Sequence, residues 1–179
     1  MRGLAALAAL AMLAGCARLP APDAAGAFRP ELFFRGASVS RGDIRTAFVF
    51  AEPFTADFEG RETEGAFVLD EHFHFADGDR LQRWRLRPVE HGRYEGTVET
   101  EDGEGRLARP LPVEGYRTAR GFVMTYDGFA PGGGATRLRF RHVMERQGDG
   151  SVSNLVAISK FGLPLASADV VFSKPAPGG

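Results

Sequence analysis

The sequence predicts an all-β protein folded as a single antiparallel barrel. Three observations carry that reading. Short segments alternate apolar and polar residues, clusters of Gly, Asp and Pro separate them, and no apolar stripe of helical period persists between them. The stretch from Val68 to Gly96, "VLDEHFHFADGDRLQRWRLRPVEHGRYEG", keeps this alternation almost unbroken. Consecutive strands at such spacing favour a meander, and closing the meander removes its exposed edges.

The N-terminus is read apart from the barrel. Met1-Arg2-Gly3 precedes an apolar run from Leu4 to Leu13, the pattern of a secretory signal over residues 1–15. The run is well short of the roughly 20 residues that span a bilayer. It ends in Leu13-Ala14-Gly15-Cys16, similar to the lipobox of bacterial lipoproteins, whose cysteine sulfur receives a diacylglyceryl group. Cys16 is the only cysteine, which suits an acylation site and excludes an internal disulfide. Acyl chains contribute about 0.8 kcal/mol per buried methylene, so several of them hold a protein on a membrane almost permanently. Ala17 stands where an aspartate would resemble the inner-membrane retention signal. By that resemblance the expected location is the outer membrane, facing the periplasm.

Residues 16–27 contain "ARLPAPDAAGA", small and Pro-bearing, and are expected to form a lipidated tether extending up to about 3.3 Å per residue. The barrel domain is placed at 28–174. Strands are expected at Leu32–Ser40, Ile44–Glu52, Phe54–Glu59, Ala66–Phe75, Leu81–Val89, Arg93–Glu101, Gly105–Leu111, Tyr116–Tyr126, Thr136–Arg146, Val152–Phe161 and Ala168–Ser173. The end of the chain, 175–179 with Lys174 before it, is expected to be disordered. One hairpin can be put in register. With Glu90-His91-Gly92 as its loop, Arg87 opposes Glu95, Arg83 opposes Glu99, and Trp84 opposes Val98 on the other face.

Charge excludes some functions. The chain carries 22 basic and 23 acidic residues, so there is no basic excess for nucleic acid. Arg137, Arg139 and Arg141 alternate with Leu138, Phe140 and His142, which reads as the solvated face of a sheet.

Several segments resemble one family. They are Phe33-Phe34-Arg35-Gly36, "LDEHFHFADGD" from Leu69, "RWRL" from Arg83, "GRYEGT" from Gly92, Met144, Asn154, "SKFG" from Ser159 and "VVFSK" from Val170. In this order they are similar to a family of proteobacterial lipoproteins classed as a domain of unknown function, DUF3833. The chain departs from that pattern at Arg141-His142-Val143-Met144, where the family tends to carry Asp-Asp-Trp-Met. The resemblance implies a lipocalin-like barrel and a role around envelope lipids.

Candidate chemistry centres on one acid. Glu71 shares a face with Phe67, Leu69, Phe73 and Phe75, which should point inward, while Asp70, His72 and His74 point outward. A buried carboxylate needs a partner or a raised pKa. His142, Asn154 and Lys160 share inward faces of their own strands, so Glu71, His142, Asn154 and Lys160 form a candidate interior polar cluster, with Lys160 the first expected partner of Glu71 and Asn154, His142 or an inward arginine or tyrosine as alternatives. Such a cluster is either a headgroup or acid–base site in an apolar pocket, or a structural network that satisfies itself.

Other motifs are weaker. Asp70, His72 and His74 show no third ligand from another segment, so no metal site is expected. "PGGG" from Pro131 precedes no helix and no Walker lysine, and Ser159 and Lys160 face opposite sides of their strand. The resulting expectation is a non-enzymatic lipoprotein without cofactor. It would meet the membrane through Cys16 and bind a lipid or another hydrophobic small molecule. An enzyme acting on lipid-derived substrates and a structural adaptor in the envelope stay open as alternatives, and no protein partner is specified.

Overall fold

The structure is a computed structural model that describes residues 19–46, 50–131 and 133–175, with the backbone alone at 133–135. The expected signal (1–15), the expected acylation site Cys16 and the tail beyond Pro175 lie outside the described residues.

Among the described residues a short helix, α1 (Pro30–Phe33), precedes ten strands: β1 (Gly36–Thr46), β2 (Phe50–Thr63), β3 (Ala66–Phe75), β4 (Gly78–Pro88), β5 (Arg93–Thr100), β6 (Leu111–Arg117), β7 (Gly121–Ala130), β8 (Gly133–Arg146), β9 (Val152–Lys160) and β10 (Leu163–Ser173). Each strand pairs antiparallel with the next, and β1 also pairs with β10, with Val39 opposite both Asp57 and Ser173. The sheet is therefore a closed barrel, as the alternating pattern predicts, and among the described residues every strand pairs on both sides.

Local chemistry explains where the strands differ from expectation. Arg41-Gly42-Asp43 is the middle of β1, and Thr46 and Phe50 pair at the end of its hairpin with β2. Ile44 and Glu52 therefore face each other across two strands. A Cβ at Gly42 would meet the Asp169 carbonyl at 2.7 Å and the Phe54 ring at 3.2 Å, so this glycine serves close packing and makes no turn. Leu32 and Phe33 belong to α1, where Pro30 occupies the first turn. Only Leu111 of the expected strand Gly105–Leu111 joins the sheet as part of a strand. The loop before it is gathered by the Asp102 carboxylate, which accepts from the Glu104 and Arg106 amides and the Arg106 guanidinium. The expected strand Tyr116–Tyr126 divides at Thr118, whose Oγ1 accepts from the Gly121 amide at 3.0 Å.

The β4–β5 hairpin has the expected register: Arg87 opposes Glu95, Arg83 opposes Glu99 and Trp84 opposes Val98. His91 and Gly92 both take the left-handed conformation in its loop.

One end of the barrel is plugged. Phe34 lies against Phe58 at 5.6 Å and edge-on to Phe172 at 5.2 Å, beside buried Phe28. Gly60 permits this approach, since a Cβ there would strike the Phe34 carbonyl and the Phe67 ring. Part of the expected tether is docked at the same end. Asp23 donates its amide to the Arg117 carbonyl, Arg117 Nη1 donates to the Gly26 carbonyl at 2.9 Å, and Pro22 bridges to Thr118. The C-terminal side is fixed there too, because Lys174 Nζ donates to the Arg35 and Ala37 carbonyls. Lys174, expected at the edge of a disordered tail, is thus bonded to the barrel.

The opposite end is a mouth ringed by the β1–β2, β3–β4, β5–β6, β7–β8 and β9–β10 connections.

Candidate functional site

Alternation along each strand delivers a set of aromatic and aliphatic side chains to the barrel interior, with a few polar ones among them. They enclose a cavity of about 110 Å³. Its lining includes Phe54, Phe73, Trp84, Met124, Tyr126 and Phe140, and the polar groups Glu71, Gln82, His142 and Asn154.

Glu71 is buried on β3 as its strand pattern requires. Its bonding partner is Trp84, whose Nε1 donates to Glu71 Oε2 at 3.0 Å. Burial pushes the Glu71 carboxyl up to about 8 against the opposing pull of that bond. Near neutral pH it is therefore mostly a neutral carboxylic acid, able both to donate and to accept.

Gln82 stands opposite Glu71 in the sheet, and its Nε2 donates to Thr100 Oγ1 at 2.8 Å. Tyr126 stacks on Phe140 with 4.7 Å between ring centres and stands edge-on to Trp84 at 5.2 Å. Burial, with the Glu71 charge adding to it, raises the Tyr126 hydroxyl pKa above its ordinary value, while the Gln82 bond pulls the other way.

His142 and Asn154 meet across β8 and β9, with Nδ1 and Nδ2 at 3.2 Å. With Asn154 donating, the imidazole proton sits on Nε2. That Nε2 and Asn154 Oδ1 are buried, and each lacks a hydrogen-bond partner. Ser38 and Ser40 on β1 likewise have buried hydroxyls without partners. His142 also lines the cavity. Burial holds its pKa down at about 4, opposed by the Asn154 bond. The interior polar groups are thus uncharged near neutrality, and among the described residues no lysine or arginine lines the cavity.

The structure brings together Glu71, His142 and Asn154 but not Lys160. Lys160 closes β9 at the mouth, half-exposed, with its Nζ 5.5 Å from the Phe161 ring and no bond to Glu71. Alternation puts Lys160 in phase with Asn154, yet at the last strand position its long stem reaches water. Trp84 supplies the donor assigned to Lys160. The signal was in the sequence, since Trp84 faces inward from β4 and a buried indole N–H seeks an acceptor. Gln82 and Tyr126 were legible only once the β3–β4 and β7–β8 registers were known.

On the outer face of β3, Asp70 and His74 are held by charged neighbours. Asp70 points outward but is covered by Arg83 and Arg61, whose guanidinium groups bond its two oxygens at 2.5 and 2.9 Å. Burial alone would raise its pKa, but those two arginines lower it. His74 is taken by carboxylates on both nitrogens, Asp79 at 2.9 Å and Asp57 at 3.0 Å, which raise its pKa and leave no nitrogen for a metal.

Comparison with known proteins agrees with this architecture. The family described as "Protein of unknown function (DUF3833)" matches residues 10–174, and the chain belongs to it. No curated protein matches the chain. Among solved structures it is similar to the S-type phycobiliprotein lyase CPES from Guillardia theta, with a TM-score of 0.55 and 10% identity over 82% of this chain and 90% of that one. The likeness is one of fold, a lipocalin-like barrel.

Proposed function

We propose that this DUF3833 protein is an outer-membrane lipoprotein facing the periplasm, anchored through Cys16, whose barrel binds a slender neutral lipid or similar hydrophobe. One observation carries the binding reading: an aromatic-lined cavity presents a protonated Glu71 beside the unpartnered His142 Nε2 and Asn154 Oδ1. Leaving a buried donor or acceptor unpaired costs about 1–3 kcal/mol. A ligand with one hydroxyl or N–H amide on an apolar chain can accept from His142 Nε2 and donate to Asn154 Oδ1 while its tail fills the cavity.

Size and charge narrow the ligand. The cavity, about 110 Å³, is below the several hundred Å³ typical of pockets for bulky ligands, so it favours a thin chain. With no cation in the wall, an ionised headgroup inside would be stranded. The anchoring part of the reading rests on the Leu13-Ala14-Gly15-Cys16 sequence.

A second reading draws on the same acid. A carboxyl that titrates at about 8 inside an apolar site suits general acid–base work on a lipid-derived substrate. Glu71→Gln separates the two, since binding survives the change and acid–base turnover does not.

The direct test is mass spectrometry of small molecules extracted from the chain beginning at Leu19, purified without detergent. The expected result is a neutral amphiphile approaching one per chain. Protein that stays empty after exposure to a total lipid extract contradicts the proposal.

A further inference from the structure

The cavity is too small to hold the whole of a long-chain ligand. An engineered apolar cavity of about 150 Å³ takes one benzene, and this one measures about 110 Å³. It has room for a polar end and a few carbons. The rest of a chain must leave through the mouth, because Phe34 closes the other end against Phe58 and Phe172.

Depth decides which end stays inside. The unpartnered His142 Nε2 and Asn154 Oδ1 lie well below the mouth. On β8, Leu138 and Phe140 stand between His142 and the mouth, and on β9, Val156 and Ile158 stand between Asn154 and Lys160. From Asn154 to Lys160 the strand advances about 20 Å.

On one wall the apolar surface continues past the cavity. Phe54 lines the cavity from β2, and Phe50, further toward the mouth, shares its face by alternation. Phe50 also pairs with Thr46 of β1, in phase with the cavity residue Ile44. Ile158 lines the cavity from β9, and Leu163 pairs with Lys160, the next residue of that phase. Strands β9, β10, β1 and β2 are consecutive in the barrel, so Phe50 and Leu163 extend the inner lining of a single wall. They are 73% and 67% exposed.

Phe161 joins this ledge although it is unfavourable for folding. Its ring is 93% exposed, and it holds φ +52° in the two-residue turn with Gly162, where asparagine or glycine fits better. Lys160, of the inner phase, lies against that ring. Strain of this kind persists where it serves something other than stability. The charged residues in phase with the ledge are Glu52 and Lys160, one of each sign, while Asp43, Arg45 and Asp169 alternate to the outer face. The wall thus offers no net charge to an ionic group. An uncharged hydrocarbon tail suits it.

We infer that the barrel takes a long single-chain neutral amphiphile polar end first, and that the tail leaves the mouth along the ledge of Phe50, Phe161 and Leu163. Such a tail covers three apolar side chains that the empty barrel leaves in water. This placement rests on the proposed binding function and adds the ligand's length and direction to it.

Trp84 reports the direction in the unaltered chain from Leu19, since its ring stands edge-on to His142 at 6.1 Å, beside the polar end. Bromine quenches indole fluorescence at short range. Dodecanol brominated next to its hydroxyl should quench Trp84 strongly, whereas dodecanol brominated at its far end should leave it bright. Length is tested with hexanol and dodecanol on a variant carrying Phe50→Ser, Phe161→Asn and Leu163→Ser. These positions are exposed and asparagine relieves the turn, so the variant should unfold in urea no earlier than the parent. It should bind dodecanol about ten-fold more weakly, and hexanol as the parent does. Far-end bromine that quenches as well as or better than near-end bromine overturns the inference and leaves the binding function standing. So does a variant that keeps its dodecanol affinity, or loses hexanol and dodecanol equally. No response of Trp84 to either alcohol overturns both. A ledge covered by a second copy, seen as an alcohol-independent dimer that the variant loses, overturns the inference alone.

Discussion

Replacing Glu71 by Gln should remove a pH dependence of stability that the buried carboxyl imposes. The folded protein keeps a proton on Glu71 up to about pH 8, whereas the unfolded chain releases it near 4.5. Between those values the unfolded state binds fewer protons, so stability falls as pH rises. At about 1.4 kcal/mol per pH unit, the accumulated loss is about 3 kcal/mol by pH 7 and about 5 kcal/mol once the pH passes 8. The amide has nearly the same shape and keeps an oxygen for Trp84 Nε1, but it does not titrate. His142 works in the opposite direction. Its pKa is held near 4, below the ordinary 6.5, so stability falls as pH drops through that window. That contribution is present in both proteins and cancels in their difference. Urea unfolding followed by Trp84 fluorescence from pH 5 to 9 should therefore show the Gln variant gaining on the parent steadily, then levelling above pH 8. A difference that does not vary with pH refutes the buried neutral carboxyl.

Three further outcomes follow from the same geometry. Trp84→Ala should cost about 3–5 kcal/mol in urea unfolding, because it empties a core position and strands Glu71, whereas the exposed Arg85→Ala should cost little. Double-mutant cycles should show coupling between Glu71 and Trp84 and additivity between Glu71 and Lys160, since only the first pair is bonded; coupling to Lys160 would restore the partner that sequence alone suggested. Cys16→Ser should abolish incorporation of radiolabelled fatty acid in cells, and a variant that still labels would remove the acylation site from Cys16.

The barrel was legible because a strand period of two is written locally and needs no knowledge of partners. The β4–β5 register followed from one short loop and the charges flanking it. What escaped was set by contacts distant in sequence. Gly42 reads as a turn until Phe54, Asp169 and Val170 are seen around it. Residues 20–26 look like a free linker until Arg117, some ninety positions away, collects their carbonyls. Three of the four proposed site residues share the interior because alternation alone puts them there. Lys160 shares their phase but sits where the strand ends, and period carries no information about depth along the barrel.

The account depends on an interior that accepts a ligand, and the chain carries its own reporter there. Trp84 is the sole tryptophan, lines the cavity and bonds Glu71. Titrating the chain from Leu19 with a neutral single-chain amphiphile, such as a long-chain alcohol, should shift Trp84 emission saturably. Ala168→Leu, which adds bulk to the cavity wall, should remove that response in a folded protein. Emission unchanged by neutral amphiphiles, or a response that survives filling the cavity, would contradict a ligand-binding barrel.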